Sequence, residues 1–222
     1  MTSTTRQHRR VCLRATTWVG VLGLSLLGGC ASSLLPKPPA PPALFTLDDS
    51  VAEAPLKANS SQPGASAPTL IVNATRSSSG FDTAQIVYVR RANELEYFAL
   101  NQWVDTPAQM LAPLMVRAIE RTGVFKAVLR APTAAAGELR LDTELVRMQQ
   151  EFIDPPSRVR LTLRAVLIET ATRRVIAWRE FDASMPSASE DPYGGVAAAN
   201  LAAHRVLSEL AAFCAKASVG TR

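Results

Sequence analysis

Two stretches of alternating apolar and charged residues, at 139–145 and 159–167, constrain the fold of this chain more than any other feature. A period of two over such lengths predicts a hairpin of two strands with one buried face. The apolar positions are odd-numbered on both sides of the turn segment 154–157, whereas a two-residue turn would pair odd positions with even ones. The hairpin therefore needs a longer loop or a bulge, and the shift of the apolar pattern to Val146 and Met148 predicts a bulge near Val146.

The remaining elements are apolar runs between turn-forming residues. Two amphipathic patterns predict helices: the first starts at Thr106, with Gln109 completing a capping box, and ends at Gly123, and the second covers residues 196–216. The strands predicted outside the hairpin are residues 44–47, 69–75, 85–89, 94–100, 125–130 and 174–185. This order indicates an α+β fold, namely a single domain with a mostly antiparallel or mixed sheet and two main helices packed on it.

The N-terminus has the pattern of a lipoprotein signal peptide. A basic segment precedes an uncharged apolar run at 15–27, which is shorter than the roughly 20 residues that a membrane-spanning helix needs. The run ends in Leu27, Gly28 and Gly29 before Cys30, which resembles the bacterial lipobox. We therefore expect cleavage before Cys30, whose thiolate takes up a diacylglycerol, and a lipid anchor that contains palmitate.

These features divide the chain into a signal peptide at 1–29, a lipidated, proline-rich tether at 30–43, an α+β domain at 44–216 and a tail at 217–222. Residues 50–68, rich in Ala, Ser and Pro, are predicted to be a flexible insertion. Four of the 24 basic residues and none of the 19 acidic residues lie in the signal peptide, so the mature chain has a net charge of +1. This near balance predicts no nucleic-acid partner.

The mature sequence lacks the residue combinations of common enzyme and metal sites. Its single histidine is His204, and once Cys30 is acylated its single free cysteine is Cys214, too few for a three- or four-ligand zinc site. No nucleophile motif or glycine-rich phosphate loop is present. Basic residues share the strand face of Asp142 and Glu144, which favours cross-strand ion pairs over a catalytic carboxylate pair. No catalytic residue, metal ligand or cofactor is predicted, and Cys214 is interpreted as a buried apolar residue.

A cluster of aromatic residues supplies the candidate partner surface. Phe81, Tyr88, Tyr97 and Trp103 lie within 23 residues, and Trp103 is placed in a loop just before the first helix. Large rigid rings in such positions are enriched at binding hot spots, because they bury much area at little entropic cost. The alternative is that these rings cover the core beneath a sheet edge.

Four segments carry a resemblance to a known family: FTLDD at 45–49, GFDTAQIVYVRR at 80–91, ELEYFALNQWVDTPAQML at 94–111 and IERTGVFKAVL at 119–129. With them the chain resembles the ABC-type transport auxiliary lipoproteins, the group that includes the paraquat-inducible PqiC lipoprotein. The segment that leads into the first helix is the most specific, and the later hairpins match mainly by pattern.

The resemblance implies a non-enzymatic accessory of an ABC transporter and its MCE-type periplasmic protein, in the transport of lipids or other hydrophobic compounds across the envelope. Because Ala31 and not Asp follows the lipidated cysteine, anchoring in the outer membrane and facing the periplasm is expected. A homo-oligomer is compatible with the resemblance. The alternative function is a binding module of another envelope machine, such as a cell-wall synthase activator or a secretin pilot, because fold alone does not separate these roles.

Overall fold

The long alternating runs form the centre of a mixed sheet. The computed structural model describes residues 40–48 and 66–219. In chain order its elements are β1 (Ala43–Phe45), β2 (Thr69–Val72), β3 (Arg76–Ser77), β4 (Gln85–Val89), β5 (Glu96–Trp103), α1 (Pro107–Glu120), β6 (Ala127–Arg130), β7 (Leu139–Glu151), β8 (Arg158–Glu169), β9 (Val175–Pro186) and α2 (Pro192–Val219). The predicted insertion at 50–68 lies mostly outside the described residues.

The predicted hairpin is confirmed in both its pairing and its irregularity. β7 and β8 pair antiparallel over their whole length, and the register shifts between Leu145 and Arg147. Val146 is therefore the bulged residue, as the change in apolar pattern predicts. The two strands are joined by the loop 152–157, which is longer than a two-residue turn. The bulge keeps both apolar sets on one face of the sheet.

β7 is the strand on which the rest of the sheet is built. One of its sides pairs with β8, which in turn pairs with β9. Its other side is shared along its length by β2, β3 and β4, each parallel to β7. β6 continues the sheet beyond β2, and β5 and then β1 continue it beyond β4. The mixed sheet is thus confirmed, and the first strand, β1, pairs parallel with β5 at an edge.

Both helices pack on one face of this sheet. The buried residues of α1 and α2 form a single core with the inward-facing residues of β7, β8 and β9. The largest fully buried side chains are Leu70, Leu111, Met115, Ile119, Leu141, Leu145, Leu161, Leu163, Leu167, Phe181 and Leu210, with the polar Gln150 among them. The predicted α+β domain with two main helices is therefore correct.

The start of α1 differs in one detail from the sequence prediction. Thr106 is the N-cap residue and Pro107 follows it at the first helical position, but the Thr106 side chain makes no capping hydrogen bond. The carboxylate of Asp105 accepts the Thr106 N–H instead, at 2.7 Å. The predicted capping box with Gln109 is therefore wrong. Beyond the end of α1, Gly123 has a positive φ of 65° and its N–H donates to the Glu120 carbonyl at 3.0 Å.

α2 begins four residues before the predicted start because Asp191 caps it. The Asp191 carboxylate accepts the Gly194 N–H and the Ser189 hydroxyl, both at 2.7 Å. The hydrogen bond from the Gly194 N–H is the main cause that lowers the pKa of Asp191. In the first turn Gly195 packs against β7, where a Cβ atom would lie 2.2 Å from the Gln150 side-chain oxygen.

The sheet face opposite the helices carries the predicted ion pairs. Arg164 lies between two carboxylates, at 3.4 Å from Glu144 and 3.0 Å from Glu180. Arg160 binds Asp182 on β9 at 3.0 Å. The prediction of cross-strand ion pairs is confirmed for Glu144. It is wrong for Asp142, whose ion pair is with Arg140 of the same strand, at 3.2 Å.

Candidate partner-binding surface

Three aromatic rings meet where β4 and β7 end. The ring centroid of Tyr88 lies 4.5 Å from that of Phe98 and 5.9 Å from that of Phe152. Phe98 and Phe152 are themselves 6.4 Å apart in an edge-to-face arrangement. Parallel pairing of β4 with β7 places Tyr88 beside Gln150. Phe152 is the first residue after β7, and its N–H donates to the Val89 carbonyl of β4. We call these three residues the aromatic trio.

Polar contacts fix the Tyr88 ring in this trio. The Tyr88 hydroxyl donates to Glu96 at 3.0 Å, and the Arg90 Nε donates to the same carboxylate at 2.8 Å. The Arg90 guanidinium lies 5.6 Å from the centre of the Tyr88 ring, within cation–π range. Hydrogen bonding from Arg90 lowers the pKa of Glu96, and the bond to Glu96 raises the pKa of Tyr88. Near neutral pH the phenol is therefore protonated and donates its hydrogen bond.

The aromatic trio is only half-buried and is continuous with exposed apolar surface. Tyr88, Phe98 and Phe152 are each half-buried, and Ile153, the residue after Phe152, is 53% exposed. Ile153 is the second residue of the loop 152–157, in which Pro155 and Pro156 are also exposed. A rigid aromatic group beside an exposed aliphatic residue has the composition of a protein-binding hot spot.

Trp103 does not belong to this surface. It is the last residue of β5, not a loop residue, and only 4% of it is exposed. It lies in the same core as Ile86 and Met148, beneath the helices. The assignment of Trp103 to a partner surface is therefore wrong, because the strand continues past the predicted end at residue 100 and carries the indole inside. The alternative, that it covers the core, is confirmed for this residue.

The other two sequence candidates lie apart from the trio. Glu96 and Phe98 both contact Tyr88, so Tyr97 between them points to the opposite face of the sheet. Tyr97 is 39% exposed there. Phe81 is half-buried in the turn after β3, where its N–H donates to the Ser78 carbonyl at 3.1 Å. Of the four predicted residues, only Tyr88 is in the trio, and a binding role for Phe81 and Tyr97 stays a prediction.

Sequence reasoning missed Phe98 and Phe152 as members of the surface. For Phe98 a signal was available in the sequence: it lies two residues after Glu96 in the same strand, and residues two apart share a face of the sheet. Phe152 gave no such signal, because its neighbour Tyr88 is 64 residues earlier and only the parallel pairing of β4 with β7 joins them.

The lipidation motif lies outside the described residues. Cys30, Leu27, Gly28 and Gly29 belong to that part of the chain, so lipidation stays a prediction. Within residues 40–48 and 66–219, neither helix is long and apolar enough to cross a bilayer.

The titratable residues considered in the sequence do not converge. Across the described residues, no group of three or more His, Cys, Asp or Glu side chains is placed to hold a metal ion. His204 is exposed on α2. Cys214 is fully buried, and desolvation raises the pKa of its thiol to about 12. The interpretation of Cys214 as a buried apolar residue is therefore confirmed.

Comparison with protein families gives one match that covers most of the domain. The profile of the ABC-type transport auxiliary lipoprotein component matches residues 46–211. This range includes the aromatic trio, α1 and most of α2. No match was found among curated proteins.

Solved structures share the fold at low sequence identity. A protein from Xanthomonas campestris has a TM-score of 0.64 and 24% identity, and the alignment covers 72% of this chain and 93% of that one. A second, uncharacterized protein has a TM-score of 0.58 and 11% identity, with 80% of this chain and 98% of the other covered. These similarities support the fold and carry no further information on function.

Proposed function

The chain belongs to the family of ABC-type transport auxiliary lipoprotein components, and from this membership we propose that it is the lipid-anchored, non-catalytic partner of an ABC transporter and an MCE-type protein. The observation that carries the proposal is the family match over residues 46–211, which spans nearly the whole described domain. The substrate class is lipids or other hydrophobic compounds that cross the envelope. The anchor is in the outer membrane, and the domain faces the periplasm.

The aromatic trio is the surface that this role would use. An accessory protein acts by binding, and binding energy in protein interfaces is concentrated in rigid aromatic residues next to apolar neighbours. The trio meets this description, because Glu96 and Arg90 hold Tyr88 in place and Ile153 extends the apolar area. Since the rings are already ordered, little side-chain entropy would be lost on binding.

Lipid anchoring is a separable part of the proposal. Replacing the thiol in Cys30→Ser removes the group that takes up the diacylglycerol, so we expect an uncleaved precursor that carries no acyl chains. Mass spectrometry of the mature N-terminus and fractionation of the two membranes would check this. An unacylated mature N-terminus at another position would contradict lipidation, and recovery in the inner membrane would contradict only the outer-membrane assignment.

Co-purification tests the transport role itself. The full lipoprotein, isolated from native membranes after crosslinking, should bring with it the ATPase, the permease and the MCE-type protein of one transport system. Repeated recovery without these components would contradict the role. Recovery with a cell-wall synthase or a secretin instead would support the alternative, which the family match disfavours.

A further inference from the structure

A second surface, unrelated to the aromatic trio, lies between β9 and the C-terminal half of α2. It is an open groove of about 760 Å³. One wall is formed by β9 and the residue before it, with Arg174, Ile176, Ala177 and Arg179. The other wall is formed by α2, with Glu209, Ala212, Phe213, Lys216 and Ala217. We call it the β9 groove.

The floor of the β9 groove is apolar and firmly supported. Phe213 packs edge-to-face on Phe181, with ring centroids 5.7 Å apart, and Phe181 is only 1% exposed. Ile176 and Ala217 are half-buried beside it and pack against the same core. Alanine at 177, 212 and 217 leaves space above this floor, so apolar side chains from another molecule would find room without displacing the core.

The rim of the groove has more positive than negative charge. Arg179 and Arg205 both bind Glu209, at 3.2 and 3.3 Å, so one carboxylate faces two guanidinium groups. Arg174 lies 3.6 Å from Glu169. Lys216 makes no ion pair with any of the described residues. The residues that line the groove therefore include three basic groups, on Arg174, Arg179 and Lys216, and one carboxylate, on Glu209. The mature chain as a whole is expected to have a net charge of only +1.

β9 also offers main-chain hydrogen bonds beside the groove. It pairs with β8 along one side, and within residues 40–48 and 66–219 no strand pairs with its other side. An edge strand presents N–H and carbonyl groups to which an extended segment can add. Because side chains alternate across a strand, every second residue of such a segment would point towards the groove.

From these three features we propose that β9 and its groove bind an extended, acidic segment of a partner protein. The segment adds a strand to β9, places apolar side chains against Ile176 and Phe213, and brings carboxylates to Arg174 and Lys216. An uncharged segment would leave the basic surplus unpaired, and a lipid chain would leave the edge of β9 without hydrogen-bond partners. The inference rests on the proposed function in one respect, namely that the partner is a component of the transport system.

Photocrosslinking in native membranes tests the groove directly. The full lipoprotein would carry a benzoylphenylalanine at Ala212, inside the groove, or at Thr133, in an exposed loop elsewhere. We expect an adduct from Ala212 and none from Thr133. Mass spectrometry should map that adduct to a segment with alternating apolar residues and carboxylates. An adduct to a second copy of this chain, to lipid or to an uncharged segment would overturn the proposal, as would the absence of any adduct.

Charge reversal provides the matched comparison. Arg174→Glu with Lys216→Glu should reduce the Ala212 adduct by about tenfold, because two attractive rim contacts become repulsive. Lys126→Glu reverses the charge of an exposed lysine just before β6, outside the groove, and should leave the adduct unchanged. Replacing the acidic residues of the crosslinked segment with lysine should restore the adduct to the reversed variant. Equal adduct yields in all variants would overturn the charge assignment and with it the proposal.

The same membranes separate this inference from the proposed function. If the unaltered chain co-purifies with the transporter but the chain that carries benzoylphenylalanine at Ala212 gives no adduct, the β9 groove proposal fails and the transport role stands. If the unaltered chain does not co-purify with the transporter at all, the transport role fails.

Discussion

The two ends of β5 carry aromatic residues that are buried to different degrees against one core. Trp103 closes the strand inside the core and is 4% exposed, whereas Phe98, five residues earlier, is half-buried with Tyr88 and Phe152. Both residues lie on the same strand of eight residues. The difference teaches that residue type supplies the apolar area, while the position along the strand decides how much of that area is buried and how much stays available to a partner.

The largest effect is expected at the buried end. Trp103→Ala removes an indole from a closed core, so the free energy of unfolding should fall by about 3 to 5 kcal/mol. Urea unfolding followed by circular dichroism would measure this. Trp178→Ala is the matched control, because Trp178 is 67% exposed on β9 and its loss should cost less than about 0.5 kcal/mol. Equal costs for the two tryptophans would break the comparison.

The tight packing around the buried end can be probed at Gly195. A Cβ atom there would approach the Gln150 side-chain oxygen to 2.2 Å, and Gln150 is 2% exposed. Gly195→Ala should therefore lower the free energy of unfolding by about 1 to 3 kcal/mol through overpacking. A thermal melt would show it. A double variant with Gln150→Ser should recover part of the loss, and strictly additive costs would show that the two residues do not collide.

At the half-buried end, the expected cost is smaller. Phe98→Ala removes ring contacts with Tyr88 and Phe152 but opens no closed cavity, so we expect a loss of about 1 to 2 kcal/mol. Urea unfolding under the conditions used for Trp103→Ala gives the comparison. A loss as large as that of Trp103→Ala would make Phe98 a core residue and would remove the distinction between the two ends of β5.

The smallest effect is expected on the sheet face opposite the helices, where the paired side chains are charged and not aromatic. Both side chains of the Arg160–Asp182 pair are 40% exposed, so Asp182→Asn should cost no more than about 1 kcal/mol. Hydrogen bonding from Arg160 lowers the pKa of Asp182. Its contribution is therefore present above the unfolded-state pKa, about 3.9, and is lost as the pH falls through the lower folded-state value.

Unfolding measurements at pH 7 and pH 2 would test this dependence. The stability difference between the unaltered chain and Asp182→Asn should shrink at the lower pH. A difference that grows as the pH falls would contradict the assignment of the ion pair as the cause.

Much of the fold follows from local patterns. The β7–β8 hairpin and its bulge at Val146 were predictable because alternation and its interruption are visible within each strand. The length of α2 was underestimated because the apolar stripe starts at Val196, although Asp191 before Pro192 has the form of a helix start. The parallel pairing of β1 with β5 was not predictable, because it joins segments about 58 residues apart with no turn signal between them.

The candidate site was predicted less well than the fold. Tyr88 was identified from its residue type and neighbourhood, but the trio depends on the pairing of β4 with β7, which no local pattern encodes. Residues 101–103 continue β5 with little apolar alternation, so the sequence pattern places the end of the strand at residue 100 and Trp103 in a loop. Physical contact between distant strands, and not composition, determines which rings meet.

Quantitative co-purification with the ABC transporter and the MCE-type protein tests the central claim most directly. Three versions of the full lipoprotein would be compared: the unaltered chain, Ile153→Asp beside the aromatic trio, and Leu201→Asp on α2, where Leu201 is 45% exposed. We predict that Ile153→Asp recovers about tenfold less transporter, with an unchanged melting temperature, while Leu201→Asp recovers as much as the unaltered chain. Equal recovery with Ile153→Asp and the unaltered chain would contradict binding through the trio, and no recovery with the unaltered chain would contradict the transport role itself.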